Sequence, residues 1–571
     1  AFVIGAILGA GHGSSPDADL ARAYVRAWTR AEWSAMYQEL DTPSQRRVSA
    51  PSFADGYRAA LRMATATDAV IAGRAHGLGG EQFAVPVRVH TRLFGTLSLE
   101  FDVAVSGGSE GPRVRWSRSL LFPGLRPGEK LARRLQLPRR ATLLARDGSV
   151  LAEGNPELTS GETTRESPIG DVGASVIGTV GPAPSSRRES LESEGVPGTA
   201  VIGLSGLERA LDARLRGRPG GALLAGRRLL AYIAPKPAPP VRTSISPELQ
   251  SEAVTALAGR LGAVVAMVPQ SGQVLAVAGI GLDGLQPPGS TFKMITLAAV
   301  LKAKLATPRT VFPYATHATL DGVELDNANG EECGGSLELA FAVSCNSVFT
   351  PLGVRLGATR LVAMAELFGF NSAPGLAGAA ESTLPPATEI QGELAVGSTA
   401  IGQGEVLATP LQMAIVAATI ADAGRRPTPT FLASAGVRRG PVAVSAAEAR
   451  TIRHLMTGVV RFGTGRSAAI PGVTVAGKTG TAELKSGCTP EQEADRAQRE
   501  AEQEGEEETE SDEVCASATD PSNTDAWFAS FAPATRPRIV VSVLLVKDGA
   551  GGDTAAPLAR EVLETGLKAA R

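Results

Sequence analysis

The sequence predicts a multidomain α+β protein, and three observations carry that expectation. Its 571 residues exceed what one hydrophobic core can organise, so roughly three or four domains are expected. Near the N-terminus, helical periodicity gives way to strand-like alternation, the pattern of a small α+β unit. Beyond the Pro-rich connector Ala234-Pro235-Lys236-Pro237-Ala238-Pro239-Pro240, helical stretches and short buried strands alternate to the end of the chain.

The apolar Ala1 to Gly11 is too short to span a bilayer and reads as the end of a membrane anchor, so residues 1–14 are assigned as anchor remnant or linker. From Ala18 to Leu40, Leu20, Tyr24, Trp28, Trp33 and Met36 recur at helical spacing, and a second helix is expected over Phe53 to Ala64. Phe83 to His90, Leu93 to Val105 and Val114 to Leu121 read as antiparallel strands, closed by Phe122-Pro123-Gly124. These elements bound a first domain at 15–125, a cone of helices and curved sheet. The segment 126–240 follows, with short strands from about Ala141, a Gly-, Ser- and Pro-rich loop from Ser160 to Ser193, and a helix from Leu204 to Leu215. In the last domain, 241–571, a helix over Pro247 to Leu261 is expected. Strands are expected at Ala263 to Val268, Val274 to Ala278, Val473 to Ala476, Asp525 to Phe531 and Ile539 to Val546.

A net charge of −2 offers no broad field for nucleic acid or an anionic membrane. The 4 cysteines and 5 histidines are scattered, without metal-ligand spacing and without a Ser-His-Asp pattern. Nucleophilic chemistry therefore needs a base other than histidine. Trp28, Trp33, Trp116 and Trp527 read as core residues.

Such a base is offered by Pro287-Pro288-Gly289-Ser290-Thr291-Phe292-Lys293, which leads into the apolar helix Met294 to Leu301. Three residues apart, Ser290 and Lys293 share one helical face within hydrogen-bond reach. A lysine kept neutral by burial and a second cation can take the serine proton. Ser344-Cys345-Asn346 follows an apolar helical stretch, and Lys478-Thr479-Gly480-Thr481 continues a strand. Lys478 supplies the second cation, and Gly480 clears the strand edge for an extended substrate.

Ser-x-x-Lys, Ser-x-Asn and Lys-Thr-Gly in that order resemble the motif set of penicillin-binding proteins and class A β-lactamases. Gly402-Gln403-Gly404-Glu405 and Asp525-Ala526-Trp527-Phe528 are similar to further family segments, and Arg146-Asp147-Gly148 with Gly206-Leu207-Glu208 resemble the dimerisation or pedestal domain of the class B subgroup. The region from Ala18 to Phe122 resembles the NTF2-like domain of the methicillin-resistance transpeptidase subgroup. The resemblance implies an antiparallel sheet flanked by helices in 241–571, a β-rich pedestal at 126–240 and an NTF2-like cone at 15–125.

It also implies a monofunctional D,D-transpeptidase that cross-links peptidoglycan stem peptides and is acylated by β-lactams, with no cofactor and no metal. Ser290 would be the nucleophile, Lys293 its base, Ser344 a proton relay and Asn346 a holder of the substrate amide. Lys478, Thr479 and Thr481 would meet the terminal carboxylate, and the N–H groups of Ser290 and Thr481 would form the oxyanion hole. Implied surroundings are the extracytoplasmic face of the bacterial cytoplasmic membrane, a membrane glycosyltransferase and division or elongation proteins. A D,D-carboxypeptidase, a β-lactamase-like hydrolase and a non-catalytic penicillin-recognising sensor or scaffold are the competing readings.

Glu491 to Glu513 carries twelve acidic residues against two arginines, so the insertion 489–514 is expected to be a solvated excursion. Cys488 and Cys515 bracket it and are expected to pair, closing its base. Cys345 reads either as a small buried residue or as a partner for Cys333.

Overall fold

The computed structural model describes residues 15–107, 111–155, 161–437, 440–484 and 523–569. These residues group into two compact units, and the chain passes between them more than once. One unit takes Ala1–Ala141, Gly181–Ile202 and Arg216–Pro239, the other Thr142–Val180, Gly203–Leu215 and Pro240–Arg571.

In the first unit, α1 (Pro16–Thr29) starts where Ser15 accepts a hydrogen bond from the Ala18 N–H and Pro16 presets the first turn. The helix expected to run to Leu40 instead breaks at Ala31, whose φ of 57° is left-handed, and a separate short helix covers Trp33–Gln38. Helix α2 (Ala50–Ala64) is capped by Ser49. The helices pack on an antiparallel sheet of β1 (Ala66–Ile71), β2 (His76–Gly79), β3 (Gln82–Thr91), β4 (Gly95–Ser106) and β5 (Arg113–Arg115). The third expected strand is short, because the chain turns into a 3-10 helix at Arg118–Leu121. Along β4, Leu97, Phe101, Val103 and Val105 face the core with Trp28, Phe53, Tyr57 and Phe122. The same unit contains a three-stranded sheet of β6 (Leu131–Gln136), β7 (Gly220–Ala225) and β8 (Arg228–Ile233), with β7 in the centre.

In the second unit, the segment expected to be a loop contains a helix at Gly170–Ile177, and part of the helix expected over Leu204 to Leu215 forms two short ones at Gly206–Ala210 and Asp212–Leu215. Helix Ser185–Ser193, also within the expected loop, belongs to the first unit. Local composition misled here because burial, not propensity, stabilises these turns. Arg165 and Glu208, both with fully buried side chains, pair at 2.6 Å, and Val176, Ile177, Leu207 and Leu215 are buried.

The body of the second unit is an antiparallel sheet. Its strands are β9 (Gly262–Met267), β10 (Val274–Gly279), β11 (Ala476–Glu483), β12 (Thr524–Ala532) and β13 (Ile539–Leu545), in the spatial order β10-β9-β13-β12-β11. Helix α3 (Pro247–Leu257) and the C-terminal helix Ala555–Ala569 bury Leu249, Ala253, Val562 and Leu563 against Val264, Ala276, Val541 and Val543. The fully buried helix Pro410–Ala421, capped by Thr409, also packs on the sheet. Strand β11 therefore forms one edge of the sheet, and it carries Lys478 to Thr481 within its length; the strand expected from Val473 begins at Ala476. Trp28 and Trp527 are core residues as expected, whereas Trp33 and Trp116 are half-buried. Among the described residues no helix is long and apolar enough to cross a membrane.

Candidate active site

Ser290 stands in a single 3-10 turn, Gly289–Phe292, that runs directly into helix α4 (Lys293–Lys302). The turn is tight because Gly289 adopts φ 49°, and a Cβ there would lie 2.7 Å from the Thr481 carbonyl oxygen. Gly289 N–H donates to the Gly402 carbonyl at 3.0 Å, and a Cβ on Gly402 would fall 2.1 Å from the Gly289 oxygen. Gly402 thus lets one backbone clamp another behind the serine. Gly480 has a related role. A Cβ there would lie 2.8 Å from the Pro288 oxygen, so this glycine also makes room for the Ser290 turn.

Helix α5 (Leu337–Ala342), capped by Ser336, ends just before Ser344, and helix α6 (Asn346–Leu356) starts just after it. Ser344 joins them in the left-handed region at φ 62°, a conformation that costs about 1–2 kcal/mol for a residue with a Cβ. Surroundings must over-determine such a residue. Cys345 is disulfide-bonded to Cys333, which decides between the two readings left open for it. Asn346 Nδ2 donates to the Asp326 carbonyl at 2.7 Å, and Ser347 N–H donates to Asn327 Oδ1 at 2.9 Å. Cys488 and Cys515, and the insertion 489–514, lie outside the described residues.

Two buried lysines converge on Ser344. Lys293 Nζ donates to the Ser344 carbonyl and to Asn346 Oδ1, each at 2.6 Å, and lies 3.4 Å from Ser344 Oγ. Lys478 Nζ donates to Ser344 Oγ at 2.8 Å and to the Thr479 carbonyl at 2.9 Å. Beneath them lie the Phe349 ring, 5.6 Å from Lys293 Nζ, and the Phe341 ring, 5.6 Å from Lys478 Nζ. Burial first, and the neighbouring Lys478 charge second, hold the Lys293 ammonium well below the usual lysine range. Burial alone brings Lys478 down to about 7. A neutral Lys293 has two N–H bonds and one lone pair. Its two short hydrogen bonds use the former and leave the lone pair for a hydroxyl. Among the described residues no hydrogen bond joins Lys293 to Ser290, because Ser344 and Asn346 hold the amine; catalytic bonds often form only when substrate binds.

The sequence reading missed several participants. Thr464 Oγ1 is hydrogen-bonded to Thr479 Oγ1, and the Gly463-Thr464-Gly465 turn directly after an amphipathic helix was its only local signal. Phe341 and Phe349 carry no sequence signal that sets them apart from other apolar residues. Thr481 Oγ1 accepts a 3.4 Å hydrogen bond from Gly551 N–H. Among the described residues, one group with the donors for a metal, His317, Glu324 and Asp326, has ligand atoms within 4.8 Å of one another on an exposed hairpin. Exposed acidic groups of that kind are common without an ion.

Ser290, half-exposed, precedes buried Lys293 by three residues and packs beside the strand that carries buried Lys478, an arrangement suited to serine acyl transfer. By the match to the penicillin binding protein transpeptidase domain over residues 262–564, the chain belongs to the penicillin-binding proteins. Matches to the NTF2-like N-terminal transpeptidase domain over 16–129 and to the penicillin-binding protein dimerisation domain over 158–225 place it in class B. It is 32% identical over 451 residues to peptidoglycan D,D-transpeptidase PbpA of Mycolicibacterium smegmatis, covering 65% of this chain and 82% of the relative. With peptidoglycan D,D-transpeptidase MrdA of Acinetobacter baumannii it shares 27% over 469 residues, 71% of this chain and 66% of that one. The crystal structure of PBPA from Mycobacterium tuberculosis superposes with a TM-score of 0.55 at 30% identity, over 75% of this chain and 99% of that one. A ceftriaxone acyl-enzyme of the same protein gives 0.55 at 28%, over 75% and 98%.

Proposed function

We propose that this protein is a peptidoglycan D,D-transpeptidase that works through an acyl-enzyme on Ser290. The observation that carries the reading is the convergence of Lys293 and Lys478 on the Ser344 hydroxyl, with burial holding the Lys293 ammonium well below the usual lysine range. Relatives that bear the name D,D-transpeptidase and a neighbour captured as a β-lactam acyl-enzyme support it.

Ser290 Oγ attacks the carbonyl of the penultimate D-Ala while its proton passes to Lys293 Nζ. The carbonyl oxygen gains the negative charge and lies against the N–H groups of Ser290 and Thr481. Collapse breaks the C–N bond to the terminal D-Ala. Ser344 gives its proton to that leaving nitrogen and is re-protonated from Lys293, so Lys293 ends neutral. An amine from a second stem peptide then attacks the ester, its proton returns to Ser290 by the reverse path, and a new amide forms without ATP. Asn346 holds the donor peptide's amide, and Lys478 with its neighbouring hydroxyls holds the terminal carboxylate.

We assign 15–125 to the NTF2-like domain, 126–240 to the pedestal and 241–571 to the catalytic domain. The site acts at the extracytoplasmic face of the bacterial cytoplasmic membrane, beside a membrane glycosyltransferase and division or elongation proteins. The test is intact-mass measurement with benzylpenicillin. The parent protein gains one long-lived adduct and Ser290→Ala gains none; equal adducts on both would end the proposal. A stem-peptide mimic with an added amine should then yield cross-linked product in preference to hydrolysis, the outcome that separates a transpeptidase from a carboxypeptidase or a β-lactamase.

A further inference from the structure

We propose that a groove in the second unit, between helix α4 and helix α7 (Ala358–Phe368), is a binding site for a small amphiphilic anion, a short alkyl chain ending in a carboxylate. The site lies apart from the acyl-transfer centre and does not depend on that chemistry.

The groove exists because facing positions are small. On α7, Arg360, Ala363, Met364 and Leu367 recur at the spacing of one helical face, and Ala299, Lys302 and Ala303 do the same at the C-terminal end of α4. The two helices pack on each other, but where larger side chains would interdigitate, Ala299, Ala303 and Ala363 leave a cavity of about 280 Å³. Its floor is buried, with Ala299 and Met364 each 3% exposed, and Leu367 forms an exposed wall. Drug-sized ligands occupy roughly 300–1,000 Å³, so this cavity suits a smaller one.

Charge sets the head group. Lys302 and Arg360 stand exposed at the rim, one from each side, and among the described residues no acid lines the groove. Neither cation has an ion pair or a side-chain hydrogen bond among those residues. Glu366, the one acid on α7, falls outside the stripe. An alkyl chain would cover Met364 and Leu367, and a carboxylate would meet both cations in charge-assisted hydrogen bonds. A neutral alcohol gains only the first contribution, and a short acid only the second. The ligand would rest about 9 Å along α4 from Lys293, which opens that helix, while α7 follows α6 after the single residue Gly357.

The probes are hexanoate, hexanol and acetate. The readout is the methyl resonance of Met364 in the full chain labelled at its methionine methyl groups, identified by its loss in Met364→Leu. Hexanoate should move that resonance to saturation and acetate should not. Hexanol should need about three- to tenfold more, the effect of one or two exposed charge pairs. Lys302→Gln/Arg360→Gln, changed at exposed positions, should bring hexanoate to the level of hexanol. Ala363→Phe, which fills the groove from an exposed position, should abolish the response to both. A Met364 resonance that hexanoate leaves unmoved overturns the proposal, as do equal midpoints for hexanoate and hexanol in the parent. A preference for the acid that persists in the glutamine variant, or a hexanoate response unchanged in Ala363→Phe, overturns it equally.

Discussion

Replacing Lys478 by methionine keeps the buried volume and deletes the charge, so Lys478→Met isolates what that charge does to Lys293. The two Nζ atoms lie 3.4 and 2.8 Å from the same Ser344 oxygen and are therefore within about 6 Å of each other. At that separation, with an effective dielectric constant of ~20, two like charges repel by about 3 kcal/mol. Relief of that repulsion favours protonated Lys293 by roughly a hundredfold. The sign follows from the role: Lys293 acts as base only when neutral, so the acylation rate rises with pH as it deprotonates. Without Lys478 this rising limb moves to higher pH. Burial, the larger cause of the depression, is retained, so the limb stays below the range of an exposed lysine. The falling limb, set in the parent by loss of the Lys478 proton at about 7, should disappear. The assay is the pH profile of acylation by benzylpenicillin, followed by intact mass. A lower plateau alone reports weaker carboxylate binding. Rising limbs that coincide in parent and variant would refute the electrostatic coupling.

Two further outcomes follow from the Ser344 turn. Removing the Cys333 to Cys345 bridge, which spans 12 residues, as Cys333→Ala/Cys345→Ala should cost roughly 3 kcal/mol of stability, read as a lower denaturant midpoint; an unchanged midpoint contradicts it. Ser344→Gly relieves a left-handed φ but removes the hydroxyl between the lysines. Stability should stay within about 1 kcal/mol of the parent, while acylation falls on the order of a hundredfold. Equal acylation by Ser344→Gly and the parent would remove Ser344 from the proton path.

Much of the candidate site was legible because its chemistry sits in short segments. Ser290 and Lys293 are one helical turn apart, Ser344 and Asn346 flank one cysteine, and Lys478 and Thr481 share one strand. The residues that were missed act across the fold. Thr464 touches Thr479 from a turn after a different helix, and Gly289 needs Gly402 and Thr481 as neighbours before its missing Cβ means anything. Secondary structure failed where burial stabilised polar or Gly-rich stretches, as at Gly170–Ile177, and where a single left-handed residue, Ala31, interrupted a continuous helical pattern.

By itself the sequence offered the candidate reacting groups and their order along the chain, because residue identity and local spacing suffice for those. It also settled that an α+β cone precedes the catalytic region. Only the tertiary structure decided that both lysines are buried against Phe341 and Phe349 and share the Ser344 hydroxyl, that Cys345 is tied to Cys333, and that Thr479 lies behind Thr464. The physical reason is common to all three. Desolvation, charge repulsion and hydrogen bonding depend on distances between segments far apart in the chain, and only packing sets those distances.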